Sequence, residues 1–279
     1  MTEHSPLPAA SESDTVTLDF SMLAGSPRPV TGLIAVTAPD RARLLADLEA
    51  RLVAGHGFSL ATLNLDHLVK IGRDLAFRSA YAAQTHVTAD GNPVVWLCRL
   101  AGQDVSLIPG SELVEPVAGT AARLDVPVAM IGSTEASLEG AAAALAVRCP
   151  GLQVVARIAP EMGFDPEGAT AAAAIETLAA SGARVCFLAL GAPRQEIFAA
   201  RAQQALPGVG FLSIGAGLDF LSGHQTRAPR WVRRLAMEWL WRMAGNPGRL
   251  MRRYGDCFVI LPAAVRTALQ VRYLERAGR

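Results

Sequence analysis

Short apolar runs that alternate with helix-like segments constrain the fold of this 279-residue chain more than any other feature. In the second half of the chain the runs cover residues 126–131, 152–158, 185–190 and 209–214, and a glycine turn follows each run within a few residues. Such short strand–helix–strand spacing is typical of βαβ units, and fully apolar strands are typical of parallel sheets. The sequence therefore predicts an α/β fold, a Rossmann-like parallel sheet with flanking helices.

The first half of the chain continues this pattern, and composition changes divide the whole chain into three parts. Strands are predicted at residues 33–37, 58–63 and 85–89, and helices at residues 41–54, about 68–83, 93–100 and 111–123. Residues 1–29 are rich in Ser, Pro and Ala and are predicted to be a disordered tail. Residues 30–224 are predicted to form the core, with a nucleotide-binding part from about residue 125, and residues 225–279 a basic helical appendage.

The C-terminal end of the chain is strongly basic, although the whole chain is nearly neutral. Residues 225–279 contain twelve arginines against three acidic residues, a net charge of +9, whereas the whole chain carries +1 and residues 1–224 therefore carry −8. This asymmetry indicates an anionic partner: phosphates, an anionic membrane surface or nucleic acid. No known nucleic-acid-binding motif accompanies the charge, which disfavours nucleic acid. Apolar residues recur every four positions, as on one helix face, at Trp231, Leu235, Trp239 and Met243.

Cysteine usage and the apolar stretches indicate a cytoplasmic protein. The four cysteines are widely spaced, without a CxxC pair, and are expected to be reduced core residues. The N-terminus lacks the basic start and apolar run of a signal peptide. Near the C-terminus the longest apolar stretch, residues 257–265, contains Pro262 and is far shorter than the roughly 20 residues of a spanning helix. The sequence therefore predicts no segment that crosses a bilayer.

Two polar groups follow predicted strands and are candidates for substrate chemistry. Asp90 follows the strand at residues 85–89, where a carboxylate can act as a general base. The alternative, which spacing alone favours, is a turn residue, because Gly91 comes next and Asp-Gly is a common turn dipeptide. The residues Thr62, Asn64 and Asp66 could bind sugar hydroxyls or cap the next helix. The spacing favours the cap for Asp66 and leaves the other two open.

Two glycine turns resemble nucleotide-binding turns. Gly191 leads into a helix N-terminus, whose free N–H groups suit a phosphate, although Glu196 in its first turn could simply compensate the helix dipole. Gly215 and Gly217 invite a dinucleotide interpretation, but the third glycine position is Phe220 and no obvious helix opens there. A Walker motif is absent from the sequence.

Arginines near residue 230 could neutralise a diphosphate through their forked donors, or could simply form a solvated helix face. They are Arg227, Arg230, Arg233 and Arg234. For metals, the five histidines show no ligand spacing, and no Asp-X-Asp motif occurs. The sequence therefore predicts neither a metal site nor a cofactor.

Five short stretches occur in an order that is specific for one protein family. They are TLNLDHLVKIGRD at residues 62–74, ADGNPVVW at 89–96, GAPRQE at 191–196, GAGLDFLSGHQTRAPRW at 215–231 and EWLWRMAGNPGRLMRRY at 238–254. From about residue 57 to residue 254 the chain thus resembles the bacterial WecG/TagA/CpsF glycosyltransferases. Each stretch alone is short, and the resemblance rests on their combination.

The resemblance implies a metal-independent, inverting enzyme that moves a sugar from a UDP-sugar to a polyprenyl-diphosphate-linked sugar. It implies that Asp90 is the base on the acceptor hydroxyl and that Thr62 and Asn64 line the sugar pocket. Gln195 would contact the donor or acceptor sugar. The diphosphate would be bound by Arg227 and Arg230, and the UDP would be bordered by Gly132, Ser133, Gly163, Phe164, Gly191 and Gly215.

The resemblance also implies partners and a location. The enzyme would be peripheral on the inner face of the cytoplasmic membrane, held there by the basic appendage, and would extend an exopolysaccharide or cell-wall polymer. Many relatives have an arginine where this chain has Leu107, and Ser133 replaces a second glycine after Gly132. The sugar, a hexose or an N-acetylhexosamine, therefore stays open. The oligomeric state also stays open, and a homo-oligomer is one option. Two alternative functions remain: an NAD(P)-dependent oxidoreductase and a non-catalytic scaffold that binds lipid diphosphate.

Overall fold

A six-stranded parallel sheet forms the centre of the molecule. The computed structural model describes residues 16–23, 33–226, 229, 232, 241 and 247–278. The strands are β1 (Phe58–Leu63), β2 (His86–Ala89), β3 (Val128–Gly132), β4 (Val154–Ile158), β5 (Val185–Ala189) and β6 (Gly210–Ser213). Their order across the sheet is β2-β1-β6-β5-β3-β4, and every neighbouring pair is parallel. The predicted α/β parallel sheet is therefore confirmed.

Helices connect the strands, as parallel pairing requires, and a short 3₁₀ helix covers Gly110–Glu112. The helices of the described residues are α1 (Phe20–Leu23), α2 (Arg41–Val53), α3 (Leu65–Arg73), α4 (Leu75–Ala82), α5 (Asn92–Leu100), α6 (Val114–Arg123), α7 (Glu135–Arg148), α8 (Ala169–Ser181), α9 (Arg194–Ala205), α10 (Gly217–Leu221) and α11 (Pro247–Ala277). The helix predicted at about residues 68–83 is thus two helices. Asp74 separates them, because its side chain accepts the Phe77 N–H and caps α4.

Alternate residues of each strand pack on opposite faces of the sheet. In β3, Val128 and Met130 pack with α2, α6 and α7, whereas Ala129 and Ile131 pack under α8 and α9. On that second face, α3, α4, α5 and α11 cover β1 and β2. Burial on both faces explains why the central strands are continuous apolar runs. The four cysteines are free and buried, as predicted.

The strand predicted at residues 33–37 is wrong, although the segment is extended and lies against β2. Thr37 N donates to Val87 O at 3.0 Å, and Val87 N donates to the Thr37 side-chain hydroxyl at 2.9 Å. Because a side-chain oxygen replaces a backbone carbonyl at this point, the segment does not continue the regular ladder. The sheet therefore ends at β2.

Part of the N-terminal segment packs into the core. Leu18 and Phe20 are fully buried, and Phe20 N donates to Ile34 O at 2.7 Å. The prediction of a disordered tail is therefore corrected for residues 16–23. Residues 1–15 and 24–29, the rest of that predicted tail, lie outside the described residues.

From residue 247 onward, the described part of the C-terminal appendage is one long helix. α11 continues through Pro262, and its residues Arg253–Ala277 are long and apolar enough to span a membrane by length and composition. The expectation that this apolar stretch is short is therefore wrong. Length and composition are weak criteria, because core helices also meet them. The helix packs on the body through Ala264, Ala268 and Val271. The predicted apolar face at Trp231, Leu235, Trp239 and Met243 lies outside the described residues.

Candidate active site

A cavity of about 750 Å³ opens at the edge of the sheet where the strands end. Loops after β1, β2, β5 and β6 border it, and α3, α5 and α11 form its walls. This carboxyl-end edge is where open α/β sheets bind ligands. Of the residues predicted for the site, those that line the cavity are Asn64, Asp90, Gly191, Gln195 and Gly215.

Asp90 lines the cavity directly after β2. Its backbone N–H donates to Leu63 O at 2.7 Å, so the end of β1 holds its main chain. Thr62 Oγ1 donates to Asp90 Oδ2 at 3.3 Å, while Thr62 itself is buried and does not line the cavity. Gly91, with a φ of 114°, turns the chain into α5. Asp90 therefore lies between the end of β2 and the start of α5, and it lines the cavity.

The cap of α3 is Asn64, and the cap role expected for Asp66 is wrong. Asn64 Oδ1 accepts a hydrogen bond from His67 N at 3.0 Å, because α3 begins at Leu65. Asp66 instead forms ion pairs with Lys70 Nζ and Arg253 Nη2, both at 2.8 Å from its Oδ2. Asn64 therefore both caps α3 and lines the cavity.

Two cations share one carboxylate at the wall of the cavity. Lys70, Asp66 and Arg253 all line it, and Lys70 Nζ also donates to Ala192 O at 3.2 Å. Two positive charges against one negative charge leave this cluster with an excess of positive charge. Charged donors of this kind suit phosphate oxygens. This cluster was not among the site residues predicted from the sequence.

Gln195 connects two of the loops around the cavity. Its Nε2 donates to Glu196 Oε1 at 2.8 Å, and its Oε1 accepts from Gly215 N at 3.2 Å. Glu196 is fully buried, so it is not a solvated residue that merely compensates the dipole of α9. Burial raises the pKa of Glu196 from 4.5 to about 7, although the Gln195 hydrogen bond acts to lower it. Glu196 therefore orients the side-chain amide of Gln195, and this amide in turn binds Gly215 in the loop after β6.

Replacing Glu196 with glutamine is expected to remove a pH dependence of stability. Because the pKa is raised from 4.5 to about 7, the folded protein keeps a proton that the unfolded chain releases. The wild-type free energy of unfolding should therefore decrease as the pH rises from about 4.5 to about 7, by on the order of 3 kcal/mol in total. Above about pH 7 this contribution no longer changes with pH. Urea denaturation of both proteins at about pH 5 and pH 8 measures it. An equal pH dependence in the two proteins would contradict this expectation.

His67 and Tyr81 form an uncharged pair beside the cavity. His67 lines the cavity, and its Nδ1 lies 2.7 Å from the Tyr81 hydroxyl. Burial, together with the charge of Lys70, lowers the pKa of His67 to about 3. Burial also raises the pKa of Tyr81, with added effects of Glu196 and Asp90. At neutral pH, His67 is therefore a neutral hydrogen-bonding group.

The turn after β3 lies at the same edge of the sheet but outside the lining of the cavity. Gly132 has a φ of 114°, and Ser133 Oγ donates to Asp219 Oδ1. Ser137 Oγ donates to the same oxygen at 2.7 Å. These hydrogen bonds connect the turn to α10, a five-residue helix that begins at Gly217, where no obvious helix is predicted from the sequence.

The other residues predicted to bind the nucleotide or the diphosphate either do not line the cavity or lie outside the described residues. Gly163 is exposed, and Phe164 is buried with its ring 5.8 Å from that of Phe198 in an edge-on arrangement. The arginines outside the described residues are Arg227, Arg230, Arg233 and Arg234. Within the part of the chain that the structure describes, no group of three or more His, Cys, Asp or Glu side chains could hold a metal ion.

Several cavity residues carried little signal in the sequence. Asp66 and Lys70 are four residues apart on a helix, a spacing that indicates an ion pair. Arg253 joins them only through the docking of α11, which local spacing does not reveal. The lining residues that were not predicted as site residues include Trp96, Leu97, Leu100, Ser111, Glu112 and Phe258.

Comparison with known protein families places the chain in one of them. Residues 30–276 match the family model described as "Glycosyl transferase WecG/TagA/CpsF family". The match covers every strand of the sheet and, among the described residues, every one that lines the cavity. The resemblance predicted from five short stretches is therefore confirmed, and the chain is an enzyme of glycosyl transfer in cell-wall or polysaccharide synthesis. This protein belongs to the WecG/TagA/CpsF family of glycosyltransferases.

Proposed function

We propose that the enzyme transfers a hexose or an N-acetylhexosamine from a UDP-sugar to a polyprenyl-diphosphate-linked sugar, with inversion and without a metal ion. One observation carries this proposal. Asp90 lines a cavity at the ligand-binding edge of the sheet, in a chain that belongs to a glycosyltransferase family. The product would be an extended lipid-linked precursor of an exopolysaccharide or cell-wall polymer.

Asp90 would act as the general base in a direct displacement. Its carboxylate takes the proton of the acceptor hydroxyl, whose oxygen attacks the anomeric carbon while the bond from that carbon to UDP breaks. The proton ends on Asp90 and the electron pair of the broken bond leaves with UDP. The hydrogen bond from Thr62 at 3.3 Å supports the orientation of the carboxylate. A single displacement at the anomeric carbon inverts its configuration.

The departing UDP requires positive charge near its diphosphate. Lys70 and Arg253 supply such charge at the cavity wall. Preorganised donors of this kind often contribute about 3 kcal/mol each to stabilising the transition state. We propose Arg227 and Arg230 as further diphosphate contacts; both lie outside the described residues.

The glycine turns at the carboxyl-end edge would border the nucleotide. Gly191 and Gly215 line the cavity and would lie nearest to the diphosphate. The turn at Gly132 and Ser133 follows the neighbouring strand β3 and would lie beside the nucleoside. Asn64 lines the same cavity as Asp90 and would contact a sugar hydroxyl.

The C-terminal helix would hold the enzyme on the inner face of the cytoplasmic membrane as a peripheral protein. Arg272 Nη1 donates to Leu100 O at 3.4 Å, and Arg73 pairs with both oxygens of Asp256 at 2.9 and 3.1 Å. These contacts attach α11 to the body and favour a helix that rests on the membrane over one that crosses it. Its exposed apolar side chains include Phe258, Val259, Leu269, Tyr273 and Leu274.

A UDP-release assay tests the proposed function. Purified protein is incubated with a polyprenyl-diphosphate-linked sugar and a panel of UDP-sugars, with and without EDTA. We expect UDP release with at least one sugar at the same rate in EDTA, and calorimetric binding of UDP but not of NAD or NADP. UDP binding without release from any sugar would favour the non-catalytic scaffold. A protein that does not bind UDP would contradict the proposal.

A further inference from the structure

We propose that one side of the cavity binds the first isoprenoid units of the lipid-linked acceptor. This inference rests on the proposed function, because it gives the lipid part of that acceptor a place next to Asp90. The side in question, here named the apolar wall, is formed by α5 and α11. It consists of Trp96, Leu97, Leu100, Phe258, Leu261 and Val265.

The two sides of the cavity differ in chemistry. Asn64, Asp90 and Gln195 on one side offer groups that hydrogen-bond to sugars. The apolar wall offers hydrocarbon and aromatic surface, with the Trp96 indole N–H as its single polar side-chain group. A sugar or a nucleoside diphosphate gains little from such surface, whereas a hydrocarbon chain gains most from leaving water. The cavity therefore fits a ligand that is polar at one end and apolar at the other.

Two large side chains of the apolar wall are exposed. Trp96 is 58% exposed and Phe258 is 60% exposed. They belong to α5 and α11, which pack against each other. Exposed apolar surface next to a concave site is typical of a binding surface. A chain that lies between these two residues would cover both.

The charges next to the apolar wall match an anionic group between the two ends of the ligand. Arg253 precedes Phe258 on α11, and Lys70 pairs with the same carboxylate as Arg253, that of Asp66. A ligand with its sugar at Asp90 and its chain on the apolar wall would bring a diphosphate close to these cations. Sugar, diphosphate and hydrocarbon chain would thus each meet complementary groups.

The helix that forms part of the apolar wall also carries exposed apolar side chains outside the cavity. Val259, Leu269 and Leu274 of α11 are exposed, and residues Arg253–Ala277 are long and apolar enough to span a membrane by length and composition. A helix of this kind suits the interface between headgroups and acyl chains. A lipid chain could then pass from the bilayer along α11 into the cavity without crossing water. This continuity assigns the apolar wall to a lipid rather than to a protein partner.

Calorimetric titrations of the full-length protein with farnesyl diphosphate and with inorganic pyrophosphate test the inference. We expect the wild-type protein to bind farnesyl diphosphate at least about ten-fold more tightly than pyrophosphate. The double variant Trp96→Ala/Phe258→Ala should lose this preference and keep its affinity for pyrophosphate. Tyr273→Ala is the matched control, because Tyr273 is an aromatic residue of the same helix that is 72% exposed and does not line the cavity. It should keep the preference.

Three results would overturn the inference. They are equal affinities of the wild-type protein for the two ligands, no binding of farnesyl diphosphate, and a preference that survives in the double variant. A preference lost equally in Tyr273→Ala would place the lipid outside the cavity and would overturn it too. Because this measurement needs no turnover, an intact preference without any sugar transfer would count against the proposed function alone.

Discussion

Replacing Asp90 with asparagine is expected to lower kcat for sugar transfer by about 10²–10⁴-fold, the usual contribution of a positioned general base. The amide has nearly the shape of the carboxylate and can still accept the hydrogen bond from Thr62, but it cannot take the acceptor proton. The affinity for UDP should stay within about two-fold, because the base acts on the acceptor and not on the nucleotide. UDP release and a calorimetric UDP titration of the same preparation measure the two quantities.

Asp104→Asn is the matched control for this variant. Asp104 is a fully exposed carboxylate of the following loop, 3.9 Å from Arg99, and it does not line the cavity. Its replacement should leave kcat unchanged. Full activity of Asp90→Asn would contradict the role of Asp90 as the base. Loss of UDP binding together with turnover would assign Asp90 to the donor side instead.

Gly132→Ala is expected to destabilise the fold by more than about 3 kcal/mol, the range of severe core substitutions. Gly132 ends β3 with a φ of 114°, a conformation that L-residues with a side chain rarely adopt. A Cβ at this position would overlap the backbone carbonyl of Ala189 on the neighbouring strand β5. Because strand backbone cannot move aside as a flexible side chain can, the clash would separate two central strands. Soluble yield and urea denaturation measure the loss.

Gly163→Ala separates the effect of the clash from that of the backbone conformation. Gly163 has a φ of 90°, yet a Cβ there would meet no atom within 4 Å. Only the cost of the left-handed backbone remains, about 1–2 kcal/mol. A Gly132→Ala protein that is no less stable than Gly163→Ala would show that β3 and β5 are not as closely paired as described.

The fold could be predicted from the sequence where one local pattern decided the structure. The apolar run at β1 has the predicted bounds, and the other strands differ from prediction by one or two residues. Because parallel strands share one carboxyl-end edge, Asp90, Gly191 and Gly215 could be expected on the same side of the sheet. They do line one cavity.

Features that depend on distant parts of the chain could not be predicted in this way. The segment at residues 33–37 looks like a strand, but the Thr37 hydroxyl takes the place of a ladder carbonyl. In a sequence, a proline such as Pro262 usually predicts the end of a helix. Pro262 is nevertheless an exposed residue inside α11. Its missing N–H removes one hydrogen bond from the helix, which packing against the body stabilises. The cluster of Asp66, Lys70 and Arg253 exists only because α11 docks beside α3.

The most direct test of the central claim is an NMR spectrum of the acceptor after incubation with the wild-type enzyme and an α-linked UDP-sugar. Transfer by a single displacement, with Asp90 as the base, predicts one added sugar whose anomeric signal shows the β configuration. An acceptor that gains no sugar, while UDP binds, would contradict the transfer reaction. A new sugar in the α configuration would contradict direct displacement and the role of a single base.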